Sequence, residues 1–293
     1  MRGRTSGPGI GRALRDGGIV AGLLFGAYLF VVIAPGSGTV GFDAFAYWSV
    51  DLGQPYAATA GHLGAFTYTP VVARLFAPVG LLSWPVFWWL WSAFLVGTAV
   101  WLGFDRRRLS GRRAVGVLGV LAFPPVALEL YHGNVHVVIA AAIVLGFRYP
   151  AAWAVPLFTK VTPAVGLIWF LVRGEWRSLR TALIVCAVIG VVSLVLDLRL
   201  WQEWLTDVTI TASGASLGQV AIPIPLLVRL PAAAVLVAWG GRTDRSWTVP
   251  AAATLALPIL WPSGLAVLAA LWPLYQRRPG LTDDATLGIS RPA

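Results

Sequence analysis

Apolar residues fall in long, nearly uninterrupted runs along this chain, and the polar residues gather in short stretches between them. A helix of about 20 apolar residues spans the hydrocarbon core of a bilayer, so each long run predicts a membrane helix and each polar stretch a turn at one face. The first helix is expected over residues 17–34, retained as a membrane helix because no small-residue cleavage site precedes Pro35. Residues 85–104 supply the next crossing, and 70–82 are left to lie along or dip into the outer leaflet. Crossings follow at 114–130 and 134–147. Segment 151–172 carries Pro156 and Pro163, which weaken a helix on either side of Thr159-Lys160-Val161-Thr162-Pro163, so two short helices turning there are expected. Residues 181–198 cross again, 199–225 form an outer loop, 226–240 return, and 249–260 with 261–275 make a final pair. The pattern predicts an all-α, polytopic transmembrane helical bundle of about 9–10 membrane helices, short broken ones included. It forms a single domain over 1–276, with a disordered cytoplasmic tail over 277–293.

Charge orients this arrangement. Arginines cluster at 2, 4, 12 and 15, at 106–108, 112 and 113, at 173, 177 and 180, at 242 and 245, and at 277, 278 and 291. The positive-inside rule makes these segments cytoplasmic, with the N-terminus inside. Arg148 also falls inside, so the chain must go out and come back before Arg173, as two short helices would do. Of the 22 Lys and Arg residues only Arg74, Lys160, Arg199 and Arg229 are left over.

Composition agrees with the pattern: 58% of residues are hydrophobic and 12% charged, against about 25% charged in soluble domains. The net charge of +10 sits at the ends of apolar runs, as orientation signals do, and implies no nucleic-acid partner. The lone Cys186 can form neither an intrachain disulfide nor a multi-cysteine metal site.

Lys160 is the only lysine, and it lies in the apolar run from Trp153 to Trp169. A cation at bilayer depth costs roughly 2.5–3.5 kcal/mol on insertion scales, so it faces a polar cavity or binds an anion. The alternative is a lysine snorkelling from a helix end. The first outer loop, 36–69, has no Lys or Arg but holds Asp43, Asp51 and His62 among aromatics. Carboxylates bind or deprotonate sugar hydroxyls, and Phe42, Tyr47, Trp48 and Tyr56 offer ring faces for a pyranose. Asp43 could instead cap a short helix, and Trp and Tyr are ordinary at membrane interfaces. The second outer turn, Glu129-Leu-Tyr-His-Gly-Asn134 with His136, crowds four polar groups together, at a spacing that matches no strong zinc pattern. No metal or other cofactor is called for.

Three blocks resemble the GT-C superfamily of polyprenyl-phosphate-sugar-dependent membrane glycosyltransferases, most of all glycosyltransferase family 87 of the bacterial mannosyltransferase type. They are Phe42-Asp43 through Gly53-Gln-Pro-Tyr56 and Tyr68-Thr-Pro70 to Trp84; His132-Gly-Asn134; and Thr159-Lys-Val-Thr-Pro163 followed by Arg173-Gly-Glu-Trp-Arg177. Ser216-Leu-Gly before Arg229 is a weaker echo. The resemblance implies a GT-C-like bundle and a catalytic carboxylate in the first outer loop, which falls on Asp43. Many relatives carry two acids one residue apart; here Ala44-Phe45 follows Asp43 and the next acid is Asp51, which leaves a metal bridged by such a pair without support.

The expected function is inverting transfer of a sugar, mannose by resemblance, from a polyprenyl-phosphate donor to a lipid or glycan acceptor on the outer face of a bacterial plasma membrane. Asp43 is the expected base. Lys160, then Arg229, Arg74 and Arg199, are the candidates for the donor phosphate. His132, Asn134, Asp51, Tyr68, Tyr56 and Trp48 are the candidates for binding the substrates. The rivals are a lipid or small-molecule transporter, which also uses broken helices around a buried charge, and a non-catalytic scaffold.

Overall fold

The computed structural model describes residues 8–104, 110–212 and 224–275. Among these the regular structure is helical throughout. In chain order the helices are α1 (Pro8–Tyr28), continued through a π turn at Leu29–Ile33 into α2 (Ala34–Ser37), then α3 (Phe42–Trp48), α4 (Pro70–Phe76), α5 (Trp84–Gly103), α6 (Ser110–Leu121), α7 (Pro124–His132) and α8 (His136–Gly146). After these come α9 (Ala154–Lys160), α10 (Ile168–Val172), α11 (Trp176–Leu196), α12 (Leu198–Ala212), α13 (Leu226–Arg242), α14 (Thr248–Leu255) and α15 (Leu271–Tyr275), with 3-10 turns before α9, α10 and α15. Arg2, Arg4, Arg106 to Arg108, Ser216 to Gly218 and the tail 277–293 lie outside the described residues.

Among the described residues three stretches are long and apolar enough to cross a membrane: Gly11–Ser37, Trp84–Gly103 and Trp176–Leu196. Their outward faces are apolar and exposed, as at Val31, Trp89 and Val195, which is the pattern of helices solvated by lipid. The other expected crossings are shorter or broken. Residues 114–130, read from the sequence as one crossing, are bent by 64° between α6 and α7. The cause is local: Pro124 cannot donate into the preceding turn, and Phe123 is pushed to extended backbone (φ −70°, ψ 114°). Residues 199–225 are read from the sequence as a loop, but they are helical as far as Ala212, in α12; residues 213–223 lie outside the described residues.

Segment 151–172 is broken at its middle. Val161 sits at φ 56°, ψ −68°, a strained γ-turn that a β-branched residue adopts only under constraint. The chain doubles back there. Phe147 packs on Trp169 and Phe170, Trp153 packs on Phe170, and Arg173 lies over the Trp169 ring, so Arg148 and Arg173 end at the same side of the bundle. A second hairpin forms from α14 to α15. Its turn, 256–261, stands level with the start of α8, since a Cβ on Gly264 would lie 3.7 Å from His136 Nε2. Two short hairpins therefore point from the arginine-rich end toward the other end of the bundle, where the first loop folds over the tip of the first hairpin.

Candidate functional site

The site is assembled at that opposite end, from α3, the 49–69 loop, the α7–α8 turn and the tip of the 150–172 hairpin. Gly41, in left-handed conformation (φ 72°), ends the approach to α3 and donates its N–H to Tyr131 O at 2.9 Å. Asp43 follows in the first turn, half-buried, and no described residue bonds or ion-pairs with its carboxylate. Tyr47 lies one turn further on the same face and is fully buried, so the ring that the sequence offered to a sugar is sealed into the core.

Four groups meet there in one chain of contacts. Lys160 Nζ is 3.3 Å from Tyr68 OH and 4.4 Å from the centre of that ring. Tyr68 OH lies 3.1 Å from Asn134 Oδ1, and Tyr47 OH lies 2.6 Å from Tyr68 OH. An ammonium only donates and an amide oxygen only accepts, so Lys160 donates to Tyr68, and Asn134 Oδ1 accepts from the phenols, Tyr68 at 3.1 Å and Tyr47 at 3.4 Å, with either phenol able to donate to the other. Asn134 Oδ1 also accepts from Val135 N at 2.7 Å, which fixes the amide's orientation. No described residue accepts from its nitrogen, so its two N–H donors have no partner among the described residues. The fields of Asp43 and Glu129 both reach Lys160, and both reach the two phenols. A lone carboxylate, an ammonium and an amide thus share one small region, with Lys160 at a helix end that the Val161 turn prevents from continuing.

The other residues singled out in the sequence fall into three places. Tyr56 OH donates to Tyr68 O at 3.0 Å and so braces the loop over the site. Trp48 Nε1 donates to Leu82 O at 2.8 Å, and Asp51 accepts from Gly53 N at 2.9 Å in a turn of its own loop. Arg199 donates to Leu52 O and Gly53 O at 2.9 and 3.0 Å and pairs with Glu203 at 2.6 Å, strapping α12 to that loop. Arg74 pairs with Asp197 at 3.5 Å, and its buried Nε has no partner. His132 Nδ1 lies 2.9 Å from Leu128 O, within its own helix. Arg229 is apart from all of these. Its guanidinium donates to Leu255 O, Leu257 O and Pro258 O, carbonyls left open where α14 ends, and to Ile224 O just ahead of α13, all at 2.6–3.1 Å. Four of its five N–H donors are occupied.

The polar groups of the α7–α8 turn do not gather round a common centre, and no group of three potential ligands suited to a metal occurs among the described residues. Glu129 and His136 instead pair with each other, at 2.9 Å, fully buried. The sequence placed them in one turn, seven residues apart, but gave no sign that the turn would bring them face to face.

This geometry defines a multi-pass membrane protein with a lone acid, a lysine and free amide donors grouped at one end of a helical bundle. The family model of glycosyltransferase family 87 matches residues 66–288, and the chain belongs to that family: it is a glycosyltransferase, with a sugar donor and an acceptor to bind. The match takes in Tyr68, Arg74, Asn134, Lys160 and Arg229 and begins after Asp43. No curated protein and no solved structure matches the chain.

Proposed function

We propose that this glycosyltransferase moves a sugar, mannose in the first instance, from a polyprenyl-phosphate donor to a hydroxyl of a lipid or glycan acceptor, with inversion, on the outer face of the membrane. The observation that carries the reading is the Asp43 carboxylate, half-buried and unpartnered among the described residues, in the field of Lys160. An unpartnered carboxylate is free to accept a proton, and an ammonium beside free amide donors is a place for a phosphate. In a single displacement the acceptor oxygen attacks the anomeric carbon as Asp43 takes its proton. The bond from that carbon to the phosphate oxygen breaks, and polyprenyl phosphate leaves against Lys160 and the Asn134 amide.

The surroundings suit a lipid-linked donor. A furrow of about 440 Å³ runs between α5 and α9 over the small residues of α8, lined by Phe94, Thr98, Trp101, Ala141, Leu145 and Val155 among others. Thr98 is its one hydroxyl, and that group is already spent on Phe94 O at 2.8 Å. The furrow starts about one turn from Asn134 and from Trp91, whose indole N–H is bonded to Gly133 O. We place the apolar chain of the donor in this furrow.

The test is transfer from polyprenyl-phosphate mannose to a membrane lipid extract by the purified protein and its Asp43→Asn variant. The amide keeps the size of the carboxylate and cannot take the proton. Turnover is expected to fall by about 10²–10⁴-fold, the usual contribution of a general base, with an unchanged melting temperature. Undiminished turnover in the variant removes Asp43 from the mechanism.

A further inference from the structure

The buried Glu129 carboxylate has no part in the displacement just described, yet it is fully enclosed and bonded on every side. Oε1 accepts the backbone N–H of His136 and that of Val137, the latter at 3.2 Å, and Oε2 accepts His136 Nδ1 at 2.9 Å. These two backbone groups are the first open donors of α8, whose own N-cap position is Val135, a residue with no side-chain acceptor. Glu129 therefore caps α8 from the preceding helix. Its backbone carbonyl also receives Gly133 N at 2.8 Å and Asn134 N at 3.3 Å, so one residue holds both ends of the turn that carries Asn134. Gly133 in that turn is left-handed, and a Cβ there would stand 2.6 Å from the Cβ of Ala44, the neighbour of Asp43. The turn that Glu129 fixes thus sits against both halves of the site.

We propose that Glu129, clamped by His136, is a positioning residue for transfer: by fixing the Gly133–Asn134 turn it aims the Asn134 amide, and through it the Tyr68 hydroxyl, at Lys160 and the donor phosphate. The inference rests on the transferase reading above and adds a group that touches neither substrate. A carboxylate capping a helix for stability alone would make the same bonds, so its effect on the site must be separated from its effect on folding.

The experiment is a double-mutant cycle on the full-length protein in nanodiscs, with Glu129→Gln, Asn134→Ala and the pair, read both as kcat/KM for polyprenyl-phosphate mannose and as melting temperature. Glu129→Gln is expected to lower kcat/KM by about 10- to 100-fold, the scale of a small misplacement of a binding group. In the Asn134→Ala background the same change should cost less than about threefold, because the group it positions is gone, while the melting temperature falls equally in both backgrounds. An equal loss of activity in both backgrounds overturns the proposal. If Glu129→Gln does not fold, His136→Gln, which loosens the clamp and leaves the carboxylate, runs through the same cycle and is read by the same criterion. Binding of undecaprenyl phosphate, measured as a ligand-induced rise in melting temperature, gives a readout independent of turnover. Binding without turnover in the wild type overturns the reading of mannose as the sugar transferred and leaves the cycle to be read on binding. A wild-type protein that neither binds nor transfers overturns both.

Discussion

Replacing Lys160 by Met should weaken donor binding and leave the fold intact or firmer, and the structure supplies both magnitudes. Within the protein the ammonium has one long hydrogen bond, 3.3 Å to Tyr68 OH, and a ring contact at 4.4 Å. A cation–π contact of this kind contributes about 0.5–2 kcal/mol. Against it stands the cost of holding a cation at bilayer depth, roughly 2.5–3.5 kcal/mol. The difference leaves the Met variant about 0.5–3 kcal/mol more stable, so its melting temperature should hold or rise. A charge-assisted bond to a phosphate is worth about 1.5–3 kcal/mol, and its loss should weaken donor affinity by about 10- to 150-fold. Both effects are read on one preparation, by donor titration and by thermal unfolding. Lys160→Arg should recover part of the affinity, since a guanidinium also binds phosphate but in a planar fork. Donor affinity within twofold of wild type in the Met variant would refute the reasoning and return Lys160 to a snorkelling side chain. A fall in melting temperature would show that the ammonium supports the hairpin tip and that the balance above has the wrong sign.

Two further outcomes test the other assignments. Arg229→Met leaves four carbonyls without their donor, and at about 1–3 kcal/mol for each buried group left open it should destabilise the protein by at least about 4 kcal/mol. Its kcat/KM per folded molecule should stay within about threefold of wild type, and a specific loss of donor affinity in this variant would place a phosphate contact at Arg229. A Thr162→Cys probe in a Cys186→Ser background should react with a membrane-impermeant maleimide added outside intact cells; reaction only from the cytoplasmic side would invert the topology.

Periodicity and charge were enough for part of this protein. Apolar length made residues 85–104 and the first run membrane helices, because a helix in lipid needs nothing from its neighbours to satisfy its backbone. Arg148 and Arg173 on one side required a hairpin in 151–172, and two prolines placed its turn at Lys160. The solitary charge in that run stood out without any structure. Other features depended on contacts between distant segments. The 64° bend before Pro124 is local in cause, but an apolar run on either side disguised it as one crossing. The four cations not assigned to an inner face looked alike in sequence, and only packing sorted them: Lys160 meets Tyr68, Arg229 faces carbonyls, and Arg74 and Arg199 brace α12 and its loop. Tyr47 read as an exposed ring, and its burial was decided by the tyrosine and asparagine that fold against it from 21 and 87 residues away. The sequence by itself determined which segments must enter lipid and where a charge was out of place, since those depend on single residues and their immediate neighbours. Which polar groups meet was settled by the tertiary fold alone, because a hydrogen bond needs a partner at about 3 Å and the chain brings that partner from another helix.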